Sequence, residues 1–207
     1  MPDNPSLDGA YALNSPEDAK RLYADWAETY DTGFIAEMEF VMPHHVAVAF
    51  AQSGGNGPVL DFGAGTGIVG EHLHRLEVGP ADALELSPEM LAVAARKGVY
   101  RDLIEGNLMD GLELPHLYQG IVSCGTFTHG HVGPDALQYL LDVAMPGARF
   151  ALSINKEHFE AAGFAEAFVA VDGQITDLRL PEARYYGDKA TGPHKDDIGY
   201  IALFKKA

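Results

Sequence analysis

Between residues 57 and 155, short apolar runs alternate with stretches whose apolar residues recur every three or four positions. The runs at 59–62, 83–86, 118–124 and 148–154, set off by Gly, Pro or Ser, read as strands, the first of them buried, and 100–105, ending in Gly106-Asn107, is a further strand candidate. The stretches at 68–76, 88–98 and 133–144 read as helices. In the second, Ser87-Pro88 forms the start and Gly98 the stop. Strands alternating with helices imply a mainly parallel sheet covered on both faces. Beyond it, 156–171 has helical spacing interrupted by Gly163, and 174–180 and 200–206 alternate enough to be strands.

Ahead of the sheet, Ser15-Pro16-Glu17-Asp18 is a helix start. Leu22, Tyr23, Trp26 and Tyr30 then share one helix face. A second helical stretch, 33–52, should be kinked or split by Pro43. Residues 1–14 are rich in Pro, Asn, Asp and Gly and are expected to lie loosely on the surface. The polar link 181–197 reads as a solvated loop or a lid. With 207 residues and no internal repeat, the expectation is one α/β domain over 15–207.

The run at 59–62 leads into Gly63-Ala64-Gly65-Thr66-Gly67 and then a helix. Glycines there let backbone approach a ligand, and the helix start offers unpaired N–H groups. Gly65-x-Gly67-x-x-Gly70 fits the dinucleotide fingerprint. Yet nothing basic lies between Val59 and Gly70, and Asp61 sits two residues before the first glycine. An acid there repels a pyrophosphate but suits ammonium and sulfonium charges, as on S-adenosylmethionine (SAM). Twenty residues on, Glu85 ends the second strand, where an acid accepts ribose hydroxyls. That role fits either ligand, and Glu85 also has the plainer reading of a solvated strand-end acid.

The run 59–67, followed by Leu84-Glu85-Leu86-Ser87-Pro88-Glu89-Met90-Leu91, resembles the first two motifs of class I SAM-dependent methyltransferases. The run 23–31 resembles the segment that often precedes them. Gly125-Thr126-Phe127-Thr128-His129-Gly130-His131-Val132 resembles, more narrowly, the Williams–Beuren-region methyltransferase-like family. The resemblance spans about 16–205. It implies a Rossmann-like seven-stranded sheet closed by an antiparallel hairpin, with the last strand between the fifth and sixth. It also implies that the N-terminal helices, 15–55, cap the active site. Asp61, Gly63, Ala64, Gly65, Gly67, Glu85, Leu86 and Met90 are then the expected cofactor contacts. Asn107 and Leu108 would meet the adenine, although Asn107 also reads as a simple turn residue. Tyr23, Trp26 and Tyr30 would lie over the cofactor end, where an aromatic face attracts a sulfonium, or would simply be core.

In open α/β sheets the ligand lies beyond the strand C-termini, between the first and fourth strands. That places the glycine loop opposite Cys124 to His131. Backbone at Ser123 and Cys124 is a candidate contact for the cofactor's amino-acid end. Methyl transfer to a sulfonium-activated carbon depends mainly on positioning and water exclusion. A base is needed only for an acceptor that starts protonated. His129 and His131 have a suitable side chain for that role; Asn155 and His158 are weaker candidates. His44-His45 reads as surface or packing. His72 and His74 do not share a helix face, and no cysteine cluster or H-E-x-x-H occurs, so no metal is expected. No G-x-x-x-x-G-K-[ST] loop or G-x-S-x-G elbow is present, and Cys124 reads as packing rather than nucleophile.

The formal net charge is −16, with no Lys/Arg cluster beyond Arg96-Lys97 and Lys205-Lys206. That argues against a nucleic-acid substrate and favours neutral or cationic small molecules. One cysteine, no signal segment and no membrane-length apolar run fit a soluble cytoplasmic protein. The expected function is SAM-dependent methyl transfer to a small acceptor. The alternatives are an NAD-type dinucleotide-dependent oxidoreductase and a SAM-binding sensor or partner without turnover. Oligomeric state is open.

Overall fold

The computed structural model describes residue 9 and residues 16–207. The Ser15 cap and, Gly9 apart, the segment 1–14 lie outside the described residues. The centre is a mixed sheet in the order β3-β2-β1-β4-β5-β8-β6. Its parallel half comprises β1 (Val59–Phe62), β2 (Ala81–Glu85), β3 (Leu103–Glu105), β4 (Tyr118–Phe127) and β5 (Ala144–Asn155). β8 (Ile198–Lys206) runs antiparallel to β5, between it and β6 (Ile175–Arg179).

Seven strands are expected; among the described residues the sheet has eight. The extra one is β7 (Glu182–Arg184), which pairs with the start of β8 while β6 pairs with its end. The two are halves of one interrupted edge strand. Pro181 sits at the break, where it offers no N–H to a ladder. Three further boundaries differ. β3 is shorter than the 100–105 run, because Tyr100 turns inward toward the glycine loop. The helix expected over 133–144 spans only Ala136–Asp142, and Ala144 already belongs to an irregular start of β5. Pro43 does not kink a helix. The break comes earlier, where Glu39 takes a left-handed conformation, and Pro43 occupies the first turn of the next helix.

The helices are α1 (Pro16–Tyr30), α2 (Met42–Gln52), α3 (Ile68–Arg75), α4 (Pro88–Lys97), α5 (Ala136–Asp142), α6 (Lys156–Ala161) and α7 (Phe164–Ala170). α1 continues through a π-helical segment (Asp31–Ile35) into a last turn (Ala36–Met38). Ser87 caps α4 by accepting from the Met90 N–H, a contact that typically contributes about 1 kcal/mol.

Alternation along the strands divides the core in two. Leu60, Ile121, Phe150, Leu152 and Phe204 pack against α5 and α7. Val59, Val122, Ala151 and Ile201 pack against α2 and α3. The Phe150 and Phe204 rings stack at 4.3 Å. On the second face, Tyr185 and Tyr186 are 3% and 2% exposed, so the 181–197 link is anchored rather than solvated throughout. Tyr185 accepts from the Val41 and Met42 amides, and Tyr186 bridges Phe40, closing the break in the N-terminal helices. Among the described residues no helix is long and apolar enough to cross a membrane.

Candidate functional site

A cavity of about 190 Å³ opens at the C-terminal ends of β1, β2 and β4. This is the switch point, where β1 is flanked by β2 on one side and β4 on the other. Gly63, Ala64 and Gly65 form its floor, Leu84, Glu85, Leu86 and Met90 one wall, and Cys124, Gly125, Thr126, Gly130 and His131 the opposite wall. Tyr23 and Tyr30 from α1, with Phe40 and Pro43 from the following segment, close the top.

The glycine loop is shaped by Glu85. Its Oε2 accepts from the Gly65 N–H at 2.9 Å, and its Oε1 accepts from the Leu86 and Ser87 amides at 2.8 and 2.9 Å. Burial raises the Glu85 pKa, and the three amides oppose that rise. Gly63 must be glycine. Its φ is +70°, and a Cβ there would sit 2.1 Å from Thr126 Oγ1. The floor of the cavity is thus set by a close approach between the β1 and β4 exits.

Asp61 does not line the cavity. Alternation sends Val59 and Asp61 to the α2/α3 face, while Leu60 and Phe62 face the other way. Asp61 is fully buried behind the loop. Its Oδ2 accepts from Tyr100 Oη at 2.6 Å, and Oδ1 makes no hydrogen bond of ordinary geometry. Burial raises its pKa to about 7, against the Tyr100 hydrogen bond, which lowers it. The same Tyr100 oxygen accepts from the Gly70 amide at 3.2 Å, so one side chain ties β1 to the first turn of α3.

Other expected contacts are distributed as follows. Trp26 is 7% exposed and packs with Tyr30, Phe34, Met90 and Val93 beneath the cavity wall rather than on it. Gly67 is buried at the start of α3. Asn107 lines the cavity; its Oδ1 accepts from the Met109 amide, which leaves its Nδ2 hydrogens and one Oδ1 lone pair for a ligand. That same turn buries Leu108 in the α5/α7 core and puts Met109 on the wall. Ser123 is buried and donates to the Phe62 carbonyl at 2.7 Å. Cys124 lines the cavity, with burial pushing its thiol pKa up, which suits packing rather than nucleophilic use.

The two loop histidines separate. His131 lines the cavity; its Nδ1 is 2.9 Å from the His129 carbonyl and its Nε2 2.9 Å from Tyr23 Oη. His129 is off the wall, its ring against His158 and its Nε2 3.8 Å from Glu157. Asn155 caps α6 through the His158 amide, and His158 Nε2 donates to the Val132 carbonyl. Both therefore hold the loop rather than face the cavity.

Several participants escaped the sequence reading. Thr126 lines the wall and donates to the Phe62 carbonyl. Asp31, in the π-helical segment, accepts from Thr66 Oγ1 at 2.5 Å and pairs with Lys97 at 2.7 Å. Lys97 also meets Glu71 at 2.9 Å. The N-terminal segment is thereby bonded to the glycine loop itself. The adjacency of Asp31 to Tyr30, and Thr66 within the glycine run, were the only signals for it. Elsewhere Asp82, Asp102 and His116 cluster, but Asp82 is already neutralised by Arg101 and bonded by Tyr118.

The topology, with β8 between β5 and β6, decides the fold, and solved structures agree. The magnesium protoporphyrin IX methyltransferase of Synechocystis PCC 6803, with bound SAM, matches at a TM-score of 0.65 and 15% identity, over 95% of this chain and 99% of that one. The fold is that of the class I methyltransferases. The N-methyltransferase NodS of Bradyrhizobium japonicum WM9, in complex with S-adenosyl-L-homocysteine (SAH), matches at 0.65 and 11%, over 90% and 97%. A SAM-dependent methyltransferase of Clostridium acetobutylicum ATCC 824 matches at 0.57 and 17%, over 88% and 98%. No protein-family model matches the chain, and no curated protein matches it in sequence.

The cavity chemistry fits a cationic nucleoside within this fold. One carboxylate and one carboxamide face a glycine floor under two tyrosine rings. Among the described residues that line it, the one Lys or Arg, Lys20, is paired with Glu105 at 3.0 Å. A pyrophosphate would meet the Glu85 carboxylate, with the Lys20 charge already taken up by Glu105.

Proposed function

We propose that the protein is a SAM-dependent methyltransferase acting on a small neutral or cationic acceptor. The observation that carries this reading is the glycine-floored cavity, walled by Glu85 and two tyrosines, at the switch point of a class I methyltransferase fold. Structural neighbours crystallised with SAM or SAH support it. So does the net charge of −16, which disfavours anionic acceptors and nucleic acid. The narrower likeness of 125–132 to the Williams–Beuren-region family belongs to this proposal, as does a cytoplasmic setting.

In this reading Gly63, Ala64 and Gly65 approach the cofactor through backbone, and Glu85 accepts the ribose hydroxyls with its remaining lone pairs. Asn107 donates to the adenine edge between Leu86, Met90 and Met109. The Tyr23 and Tyr30 rings face the cation. Asp61 acts from behind the loop, without contact, through its hydrogen bond to Tyr100. Backbone at Cys124 holds the amino-acid end, and Ser123 keeps that strand exit in place. Trp26, Gly67 and Leu108 shape the walls from beneath. When bound, SAM supplies an electrophilic methyl group. The segment 15–55 excludes water over it. His131 is the proton acceptor for a protonated substrate, and His129 supports it through its backbone carbonyl.

The test is transfer of tritium from methyl-labelled SAM to a panel of small acceptors, with SAH binding measured in parallel. Transfer is expected. SAH binding with no transfer to any acceptor would favour a sensor, and NAD(H) binding without SAH binding would favour an oxidoreductase.

A further inference from the structure

Tyr23 and His131 come from opposite sides of the cavity, one from α1 and one from the loop after β4, and both line it. Their side chains meet at 2.9 Å. The other imidazole nitrogen settles the direction of that bond. A backbone carbonyl only accepts, so the 2.9 Å contact to the His129 carbonyl places a proton on Nδ1. In the neutral ring Nε2 then carries the lone pair, and it accepts from the Tyr23 hydroxyl. The histidine lone pair is therefore covered by tyrosine. A substrate proton in the cavity reaches it through the phenol oxygen.

We infer that Tyr23 and His131 form a two-residue proton relay, and that the methyl acceptor carries a proton on its nucleophilic atom: a hydroxyl or thiol rather than a tertiary amine. This rests on the methyltransferase reading. In the step, the acceptor oxygen or sulfur passes its proton to the Tyr23 oxygen. Tyr23 passes its own proton to His131 Nε2. The acceptor's electron pair forms the bond to the methyl carbon, and the carbon–sulfur pair leaves with the sulfur. The sulfonium charge disappears as an imidazolium charge appears, so the cavity's net charge is unchanged. The imidazolium Nδ1–H stays on the His129 carbonyl and later loses its extra proton to water. Tyr23 is the catalytic residue; His131 is the proton sink behind it.

The surroundings keep His131 neutral until the relay acts. Burial lowers its pKa below the ordinary 6.5, and His158 beside it acts in the same direction, while the His129 carbonyl opposes them. Burial, and after it Glu85 across the cavity, raise the Tyr23 pKa, so tyrosine holds its proton at neutral pH. Lys20, the remaining charged group on the wall, is paired with Glu105.

Two measurements test the relay. The first is nitrogen-15 NMR of histidine-labelled protein with SAH, comparing wild type with Tyr23→Phe. His131 should be the Nδ1–H tautomer, and its Nε2 resonance should move in the variant as the hydrogen bond is lost. An Nε2–H tautomer, or no response to Tyr23→Phe, overturns the relay whatever the acceptor. The second is tritium transfer from SAM to a set of phenols and thiols and a set of tertiary amines, across pH 5–9. The relay predicts transfer to the protic set, with an acid limb below pH 6.5. It also predicts a loss of about 100-fold in kcat for Tyr23→Phe and for His131→Gln, as expected for general-base catalysis. SAH affinity should stay within about threefold in Tyr23→Phe, because the ring face remains. A purely structural hydrogen bond would alter the spectrum but leave the pH profile in place, and that result, or transfer confined to tertiary amines, rejects the proposal. Failure of the wild type to bind SAH rejects the methyltransferase reading instead.

Discussion

Asp61 and Tyr100 share a 2.6 Å hydrogen bond on the side of the glycine loop facing away from the cavity. The carboxyl is fully buried and its pKa is raised to about 7 from 3.8, first by burial and then by the charge of Glu85. A raised acid favours folding when protonated. Its contribution is complete below the unfolded value and is lost as pH rises through about 7. At about 1.4 kcal/mol per unit, roughly 2–3 kcal/mol is lost between pH 5 and pH 8. Asp61→Asn removes that loss. Its stability relative to wild type should therefore rise by about that amount over the same range, read from denaturant unfolding at each pH. A constant difference would mean that Asp61 is ionised throughout.

Glu85 binds three backbone amides across two segments. Glutamine keeps only one oxygen, so at least one amide loses its acceptor. Glu85→Gln should lower stability by about 1–3 kcal/mol, the usual loss for charge-assisted bonds. It should also weaken SAH binding more than tenfold, since in the proposed reading the loop and the ribose hydroxyls depend on the same carboxylate. Thermal unfolding and calorimetry read the two effects separately.

The Asp31 bonds to Thr66 and Lys97 join the N-terminal segment to the glycine loop and to α4. Asp31→Ala should speed SAH release about tenfold while changing stability by no more than about 1 kcal/mol, because the pair is partly exposed. Trp26 is the only tryptophan and lies buried in that segment, so stopped-flow fluorescence reports the change directly.

Gly63→Ala places a methyl group 2.1 Å from Thr126 Oγ1 in a left-handed backbone conformation. Strain and overlap together should lower stability by more than about 2 kcal/mol. Adding Thr126→Ser, which keeps the hydroxyl, should not rescue it; Thr126→Ala should recover part of the loss.

Most of the parallel half of the sheet was legible because its strands are short, mostly apolar runs set off by glycines or prolines; the 100–105 run around β3, half charged and largely exposed, gave the weakest pattern. The interrupted edge strand was not. Glu182–Arg184 is polar and exposed, and only its pairing with β8 makes it a strand. The site was legible as a list of segments more than as a set of side chains. Residue 61 follows the alternation of its strand to the far face, a consequence readable from Val59 and Leu60. Which of Leu108 and Met109 faces the cavity depends on one short turn, and propensity does not resolve that. Asp31 reaches Thr66 only once α1 has docked on α4, a tertiary event with no local pattern. Tyr23 reads as one member of an aromatic stripe until the β4 loop brings His131 to its hydroxyl.

The central claim is that the glycine-floored cavity holds a cationic sulfur nucleoside and not a dinucleotide. Isothermal titration of the purified protein with SAH and, separately, with NAD(H) tests it most directly. The account predicts micromolar or tighter SAH binding at one site per chain and no heat from NAD(H). Saturable NAD(H) binding with no SAH binding would contradict it.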